Sequence, residues 1–308
     1  MHDGRHYIAS RQRGADATAV TQLLMIAPYF VCSLAIVGAV AAVLLGELAG
    51  LLVTVGWVVS GGLVFHRPTE RLLARRFMGL RPPSQDEFAY LAPIWTEVCR
   101  RAEVDHTAYE LWLEESDELN AMAAAGHIVG VTTRSLTRLP PGQLAGVLAH
   151  ELGHHVGGHS WTALLGYWYG LPARVVWRVI SVLALVVLYV TAKTRCLGGV
   201  LLLLVAAVAA VAAVVAMPWI AVPILVSPYV VAASGRAGEL RADQKAAELG
   251  FAPTLYEVLR LSHEEELAER RRLDPTGKSR PTQSALSTHP SLPKRLELLA
   301  PHLGPTPP

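Results

Sequence analysis

The sequence predicts a mainly α membrane protein with two hydrophobic helical hairpins and a small α+β soluble part. Composition, four apolar windows and one histidine pair at helical spacing carry that prediction. Of 308 residues, 52% are hydrophobic and only 17% charged, with a mean hydropathy of +0.35, which is membrane-protein composition. A formal net charge of +2 implies no nucleic-acid partner.

From Leu23 to Phe65 the only charged side chain is Glu47, so this stretch holds two spans of about 20 residues joined near Gly46-Glu47-Leu48. Arg5, Arg11 and Arg13 precede it and Ala39-Val40-Ala41 mimics a cleavage site, but the apolar run continues past that point, which favours a retained anchor over a signal peptide. Two further windows, Val175 to Ala192 and Leu197 to Ala233, are separated by Lys193-Thr194-Arg195-Cys196 and read as a second hairpin. Pro218, Pro223 and Pro228 are expected to kink or end its last part. The chain thus falls into residues 1–66 (tail and hairpin), 67–160 (soluble part), 161–233 (second hairpin) and 234–308 (a helix, a mobile loop and a C-terminal helix).

An even number of spans puts both soluble regions on one side. Arg67, Arg71, Arg75, Arg76 and Arg81 crowd after the first hairpin, whose turn holds only Glu47, so the positive-inside rule makes that side cytoplasmic. Lys193 and Arg195 in the other turn argue weakly against this. The expected location is a multi-pass protein of the cell membrane. Cys32, Cys99 and Cys196 form no disulfide framework.

Gln85 to Ala102 reads as a helix. Tyr109–Glu114, Asn120–Ala125 and Ile128–Thr133 read as strands leading into a helix that opens at Pro140-Pro141. That helix carries His150-Glu151-Leu152-Gly153-His154. The i, i+4 spacing stacks His150 and His154 on one face, where both can reach one tetrahedral zinc, and Glu151 lies close enough to act as a base on a water there. The implied reaction is peptide-bond hydrolysis. His155 lies about 100° around the helix from His154 and should face elsewhere. His106 and His127 lack partners at metal spacing.

A catalytic zinc takes three protein ligands and keeps one position open. Two candidates compete for the third. His159 falls one residue short of the His position in H-E-x-x-H-x-x-G-x-x-H, where Ser160 stands. Glu239 lies in the helix expected from Gly238 to Leu249, stopped by Gly250, with Asp243 one turn later on the same face, where it can fix the tautomer of a ligating histidine. From Glu264 to Ser287 the chain is charged and then rich in Pro, Ser and Thr, which reads as the mobile loop. The small residues from Asn120 to Ala125 would let a substrate backbone pair as an added strand.

The hydrophobic hairpin, Asn120-Ala121, the His150-to-His154 motif, further hydrophobic segments, Ser234 and Arg236 near Glu239, Ala242-Asp243, then His289-Pro290 and Arg295 follow one another in that order. That order resembles the membrane zinc metallopeptidase family of HtpX and the CAAX prenyl endopeptidases, over nearly the whole chain. The resemblance implies a zincin-like (gluzincin) catalytic part with one zinc per chain on His150, His154 and Glu239. It further implies Glu151 as base, Asp243 behind a ligand, His289 as donor to the oxyanion, and Asn120, Ala121, Met122 and Ala123 as substrate-binding residues. Relatives often have Ser and Arg adjacent, whereas Gly235 separates Ser234 from Arg236 here. Arg295 could anchor the C-terminal helix or be a simple surface charge. The expected function is a zinc endopeptidase acting on misfolded or membrane-associated polypeptides, with the lipid bilayer as its other partner. The alternatives are a processing protease for one lipidated or membrane peptide, and a non-catalytic zinc-binding scaffold or sensor.

Overall fold

A computed structural model describes residues 17–124, 126–194, 197–216, 218–273 and 287–303. In chain order its elements begin with α1 (Ala17–Leu45), α2 (Glu47–Ser60), α3 (Arg67–Phe77), β1 (Leu80–Arg81) and α4 (Gln85–Arg101). Next come β2 (Glu110–Glu114), β3 (Ala121–Ala124), β4 (Ile128–Thr132), α5 (Thr133–Arg138) and α6 (Pro141–Gly157). Then follow α7 (His159–Thr194), α8 (Leu197–Ala216), α9 (Pro218–Glu248), α10 (Ala252–Leu273) and α11 (Leu292–Leu299). They form two compact units: Met1–Gln22, Leu63–Leu164 and Val231–Pro308 in one, Leu23–Gly62 and Leu165–Val230 in the other.

The first unit is built on a four-stranded sheet of order β1-β2-β4-β3. β2 and β4 run parallel, while β1 pairs antiparallel with β2 and β3 antiparallel with β4, so β3 is an edge strand. α4 starts at a capping box, Ser84 with Glu87, which satisfies two orphan amide donors reciprocally. It turns Leu91, Trp95, Val98 and Cys99 inward at helical spacing. These residues join Leu144, Leu148 and Leu152 of α6 and the inner faces of the strands in the main core. A second apolar cluster covers the opposite face: Ala74 of α3, Leu80, Trp112, Ala124 and Ile128, with Met122 and Leu164 against it. Glu70 fastens α3 there, its buried carboxylate accepting from the Gly126 amide at 3.2 Å and lying 3.1 Å from His127 Nδ1. The strand between Asn120 and Ala125 is observed as Ala121–Ala124, with residue 125 outside the described set.

In the second unit, α1 and α2 lie side by side: a Cβ on Gly50 would meet the Ala42 backbone at 2.6 Å, so glycine permits the contact. α7 and α8 pair in the same way, Gly199 against Thr191. The helices Val20–Leu45 and Trp161–Thr194 are each long and apolar enough to cross a membrane, and Glu47–Leu63 with Arg67–Phe77 make a third candidate if that broken pair is counted as one span.

One expectation is corrected. Glu264 to Leu273 is not loop: it continues α10, because Arg260–Glu264 and Glu266–Arg270 pair at i, i+4 and no breaker intervenes before Pro275. The rest of the expected mobile loop, 274–286, lies outside the described residues. A second finding concerns the helix expected from Gly238 to Leu249: it is the final part of α9, which runs on through Pro223 and Pro228 to Glu248. Pro218 stands at the first position of α9, where its missing N–H costs nothing.

Candidate metal centre

α6 and α9 bring the predicted residues together. A ligand atom each from His150, His154 and Glu239 lies within 4.8 Å of the others. His150 Nε2 is 3.2 Å from His154 Nε2, Glu239 Oε2 is 3.5 Å from His150 Nε2, and Glu239 Oε1 is 3.5 Å from His154 Nε2. Zinc with ligands at about 2.0–2.1 Å has tetrahedral edges of about 3.3 Å, and the spacings from the two nitrogens to each other and to the carboxylate are close to that length.

The close approach has a sequence cause. A Cβ on Gly153, inside the histidine motif, would stand 2.9 Å from Ala242 Cα, so only glycine lets α9 come this near. Seven residues earlier on the same face, Gly146 admits α10, where a Cβ would meet the Leu255 amide nitrogen at 2.8 Å. His155 does face elsewhere: it is buried against Tyr109, its Nε2 is 3.0 Å from the Ile128 carbonyl, and burial pushes its pKa down to about 3.

Asp243 sits 2.8 Å from His150 Nδ1. Burial would raise its pKa, but Arg295 and His150 hold its carboxyl below the usual range, so it accepts and the histidine Nδ1 carries the proton. That tautomer aims the Nε2 lone pair at the cluster. Arg295 of α11 closes the arrangement, donating to Asp243 from Nε at 2.7 Å and from Nη2 at 2.6 Å, with Nη1 3.5 Å from Glu239. It is a buried anchor, not a surface charge. Its two bonds to Asp243 bridge fifty-two residues of chain, a pairing that no local spacing could reveal.

Without a metal, burial and the Arg295 charge press His150 toward neutrality, yet its bonds to Asp243 and Glu239 prevail and lift its pKa to about 9. Burial opposes ionisation of Glu239, but His150, His154 and His289 hold its pKa far below the usual carboxylate range. Glu151 is buried beside its histidine neighbours. His289 reaches Glu239, Nδ1 to Oε1 at 3.1 Å, from an exposed segment. Arg236 supports that segment by donating to the Ser287 carbonyl at 2.6 Å, and Gly235 leaves room for the Thr288 backbone, where a Cβ would be 3.0 Å from its oxygen. The inserted glycine thus has a packing role. His159 opens α7, but its side chain lies outside the described residues.

β3 packs against α6. The Thr132 amide donates to the Asn120 carbonyl at 3.1 Å, so Asn120 faces β4, and the alternation of an antiparallel ladder turns Ala121 and Ala123 backbone groups to the open edge. Asn120 Oδ1 takes the Ala121 amide at 2.9 Å, which leaves the Ala121 carbonyl and both Ala123 groups outward.

A histidine pair on one helix, a carboxylate between them in sequence and a second carboxylate from a later helix define a metallopeptidase centre. The model of peptidase family M48 matches residues 85–301, and the chain belongs to that family, which contains HtpX and the CAAX prenyl endopeptidases. No curated protein matches the chain. The chain is therefore a metallopeptidase, a hydrolase, with helices apolar enough for a membrane.

Proposed function

We propose that this chain is a zinc endopeptidase that cleaves misfolded or membrane-associated polypeptides at the cytoplasmic surface of the cell membrane. The convergence of His150, His154 and Glu239 beside the buried Glu151 carries this reading. Zinc held there would lower the pKa of a water toward about 7 and polarise the scissile carbonyl. The chain's own residues then have distinct tasks. Glu151 takes the water's proton on its carboxylate and passes it to the leaving amine. Asp243 keeps the proton on His150 Nδ1, and Arg295 offsets the carboxylate charge behind it. His289 stands at the rim as donor to the developing oxyanion. The open edge of β3 offers Ala121 and Ala123 to an extended substrate, while Asn120 and Met122 shape the strand and direct their own backbones to β4. The crowding of arginines from Arg67 to Arg81 after an apolar hairpin supports the cytoplasmic side.

Glu151→Gln separates this reading from a zinc-binding scaffold. The amide keeps the shape of the carboxylate but takes no proton at neutral pH, so cleavage should fall by about 100- to 10,000-fold. Zinc content, read by elemental analysis, should stay at one per chain. Parental cleavage by the variant would overturn the assignment of the base, and absence of proteolysis from the parent on unfolded and membrane substrates would favour the scaffold.

A further inference from the structure

The helix α7 carries Arg174 and Arg178 one turn apart, within a segment otherwise apolar enough to span a membrane. Tyr167, Arg174 and Arg178 lie within about 40° of one another around the helix, and Trp177 is some 60° to one side. This stripe faces outward: Tyr167 and Trp177 are largely exposed, whereas Trp168 and Tyr169 turn inward. There Tyr169 donates to the Val58 carbonyl and Trp168 to Ser60 Oγ.

The depth of the stripe follows from the hairpin. α8 begins three residues after α7 ends, and Gly199 lies against the Thr191 side chain. α8 has 20 residues, which rise about 30 Å, the thickness of a hydrocarbon core. Counting the same length back along α7 from Thr194 reaches Val175. Arg174 then sits at the hydrocarbon boundary, and Arg178 lies about one turn inside it, within reach of a snorkelling side chain.

These cations have no counter-charge in their own unit, where Glu47 is the one acid in the sequence of both segments. Arg174 bends toward the N-terminal end of α7, stacks over the Tyr167 ring at 4.4 Å and donates to the carbonyls of Gly166, Tyr167 and Gly170, leaving its charge unmatched. We infer that Tyr167, Arg174, Trp177 and Arg178 form a site for the headgroup of an anionic phospholipid on the outer face of α7. The phosphate matches the two guanidinium groups, and the aromatic rings occupy the headgroup level on either side. The inference rests on the helices lying in a bilayer and is independent of peptidase activity.

The test reconstitutes the full chain in vesicles of phosphatidylcholine with one-fifth phosphatidylglycerol, then counts retained lipid by native mass spectrometry. The parent should retain phosphatidylglycerol in preference to phosphatidylcholine. Arg174→Gln with Arg178→Gln should weaken that retention about 30-fold, given roughly fivefold per charge. Arg174→Lys with Arg178→Lys should keep most of it, and Lys193→Gln, at the other end of α7, should leave it unchanged. Circular dichroism checks that each variant is folded, and the lysine pair preserves the test if the glutamine pair is not. Equal retention of both lipids by the parent would overturn the site, as would an unaltered preference in the glutamine pair, a loss in the lysine pair equal to loss of charge, or displacement by millimolar inorganic phosphate.

Discussion

The two units use the same side chains in opposite ways. Leu91, Leu113 and Leu148 of the first unit have no exposed surface, while Leu44, Leu48 and Leu197 in the apolar helices are more than 70% exposed. Polar groups invert in step. In the apolar unit Ser33 and Ser227 are buried, Ser33 accepting from the Ala173 amide at 3.1 Å and Ser227 donating to Tyr29 at 3.0 Å. In the first unit most charged side chains are outside; of the exceptions, His150, Glu151, Glu239 and Asp243 cluster, while Glu70 lies apart beside His127. The lesson is that burial has a different meaning in each unit. Water drives leucines inward in one, whereas a lipid surround removes that drive and leaves packing of small residues and interhelical hydrogen bonds. Buried charge in the first unit must then be paired, because it is costly otherwise.

The largest effect on stability should come from breaking that paired charge. Arg295→Leu leaves Asp243 buried with only His150 for company and should cost about 3–5 kcal/mol, read as a fall in the unfolding midpoint of the first unit. Loss of zinc should accompany it, since Asp243 would no longer be held against His150. A change below about 1 kcal/mol would show that the arrangement is solvated after all.

Next in size is a matched pair of truncations. Leu148→Ala opens a cavity in the main core and should cost about 2–5 kcal/mol, whereas Leu44→Ala, on the exposed side of α1, should change stability by less than about 0.5 kcal/mol in detergent. Equal costs would mean that the apolar helices are packed on all sides, and the contrast between the units would fail.

Gly153→Ala is a smaller but more local perturbation. The added methyl must displace Ala242 from 2.9 Å, which should cost about 1–3 kcal/mol and move Glu239 away from the histidines. Zinc affinity measured by competition with a chelating dye should fall more than stability does. Unchanged affinity would show that α9 can shift without disturbing the triangle.

The mildest test is pH. His150 in the metal-free chain has its pKa raised from the ordinary 6.5 to about 9, so its protonated form stabilises the fold. That contribution is complete below about pH 6.5 and is lost as pH rises through about 9. Zinc competes with the same proton, so affinity should climb across that window while the chelated protein loses stability. Both trends can be followed by thermal melting with and without zinc. If both curves were flat, the coupling of His150 to its two carboxylates would be refuted.

Local pattern made much of this legible. The alternation along Tyr109–Glu114 and the short apolar, β-branched run Ile128–Thr133 mark β2 and β4 to within a residue, because both are local properties of a strand. The spacing from His150 to His154 likewise determines that both rings share one face of α6, and the absence of charge over long windows determines where apolar helices form. Glu239 and Asp243 lie one turn apart, but that spacing leaves His159 in competition, and the resemblance to the HtpX family singles them out. By contrast, β1 has only two residues, too short to show a period, and exists because Leu80 and Arg81 pair with Leu113 and Glu114. The charged run after Glu264 looks like loop until α10 is seen to continue through its ion pairs.

What the sequence alone determined is therefore the chemistry and the helix that presents it: two imidazoles, a neighbouring carboxylate and a second carboxylate pair one turn apart. Only the tertiary structure decided how those parts meet. Gly153 against Ala242, Arg295 on Asp243 and Arg236 on the Ser287 carbonyl join positions 51 to 89 residues apart. Such contacts depend on the approach of whole helices, which is set by the sum of packing over many side chains and leaves no period in the chain for a reader to find.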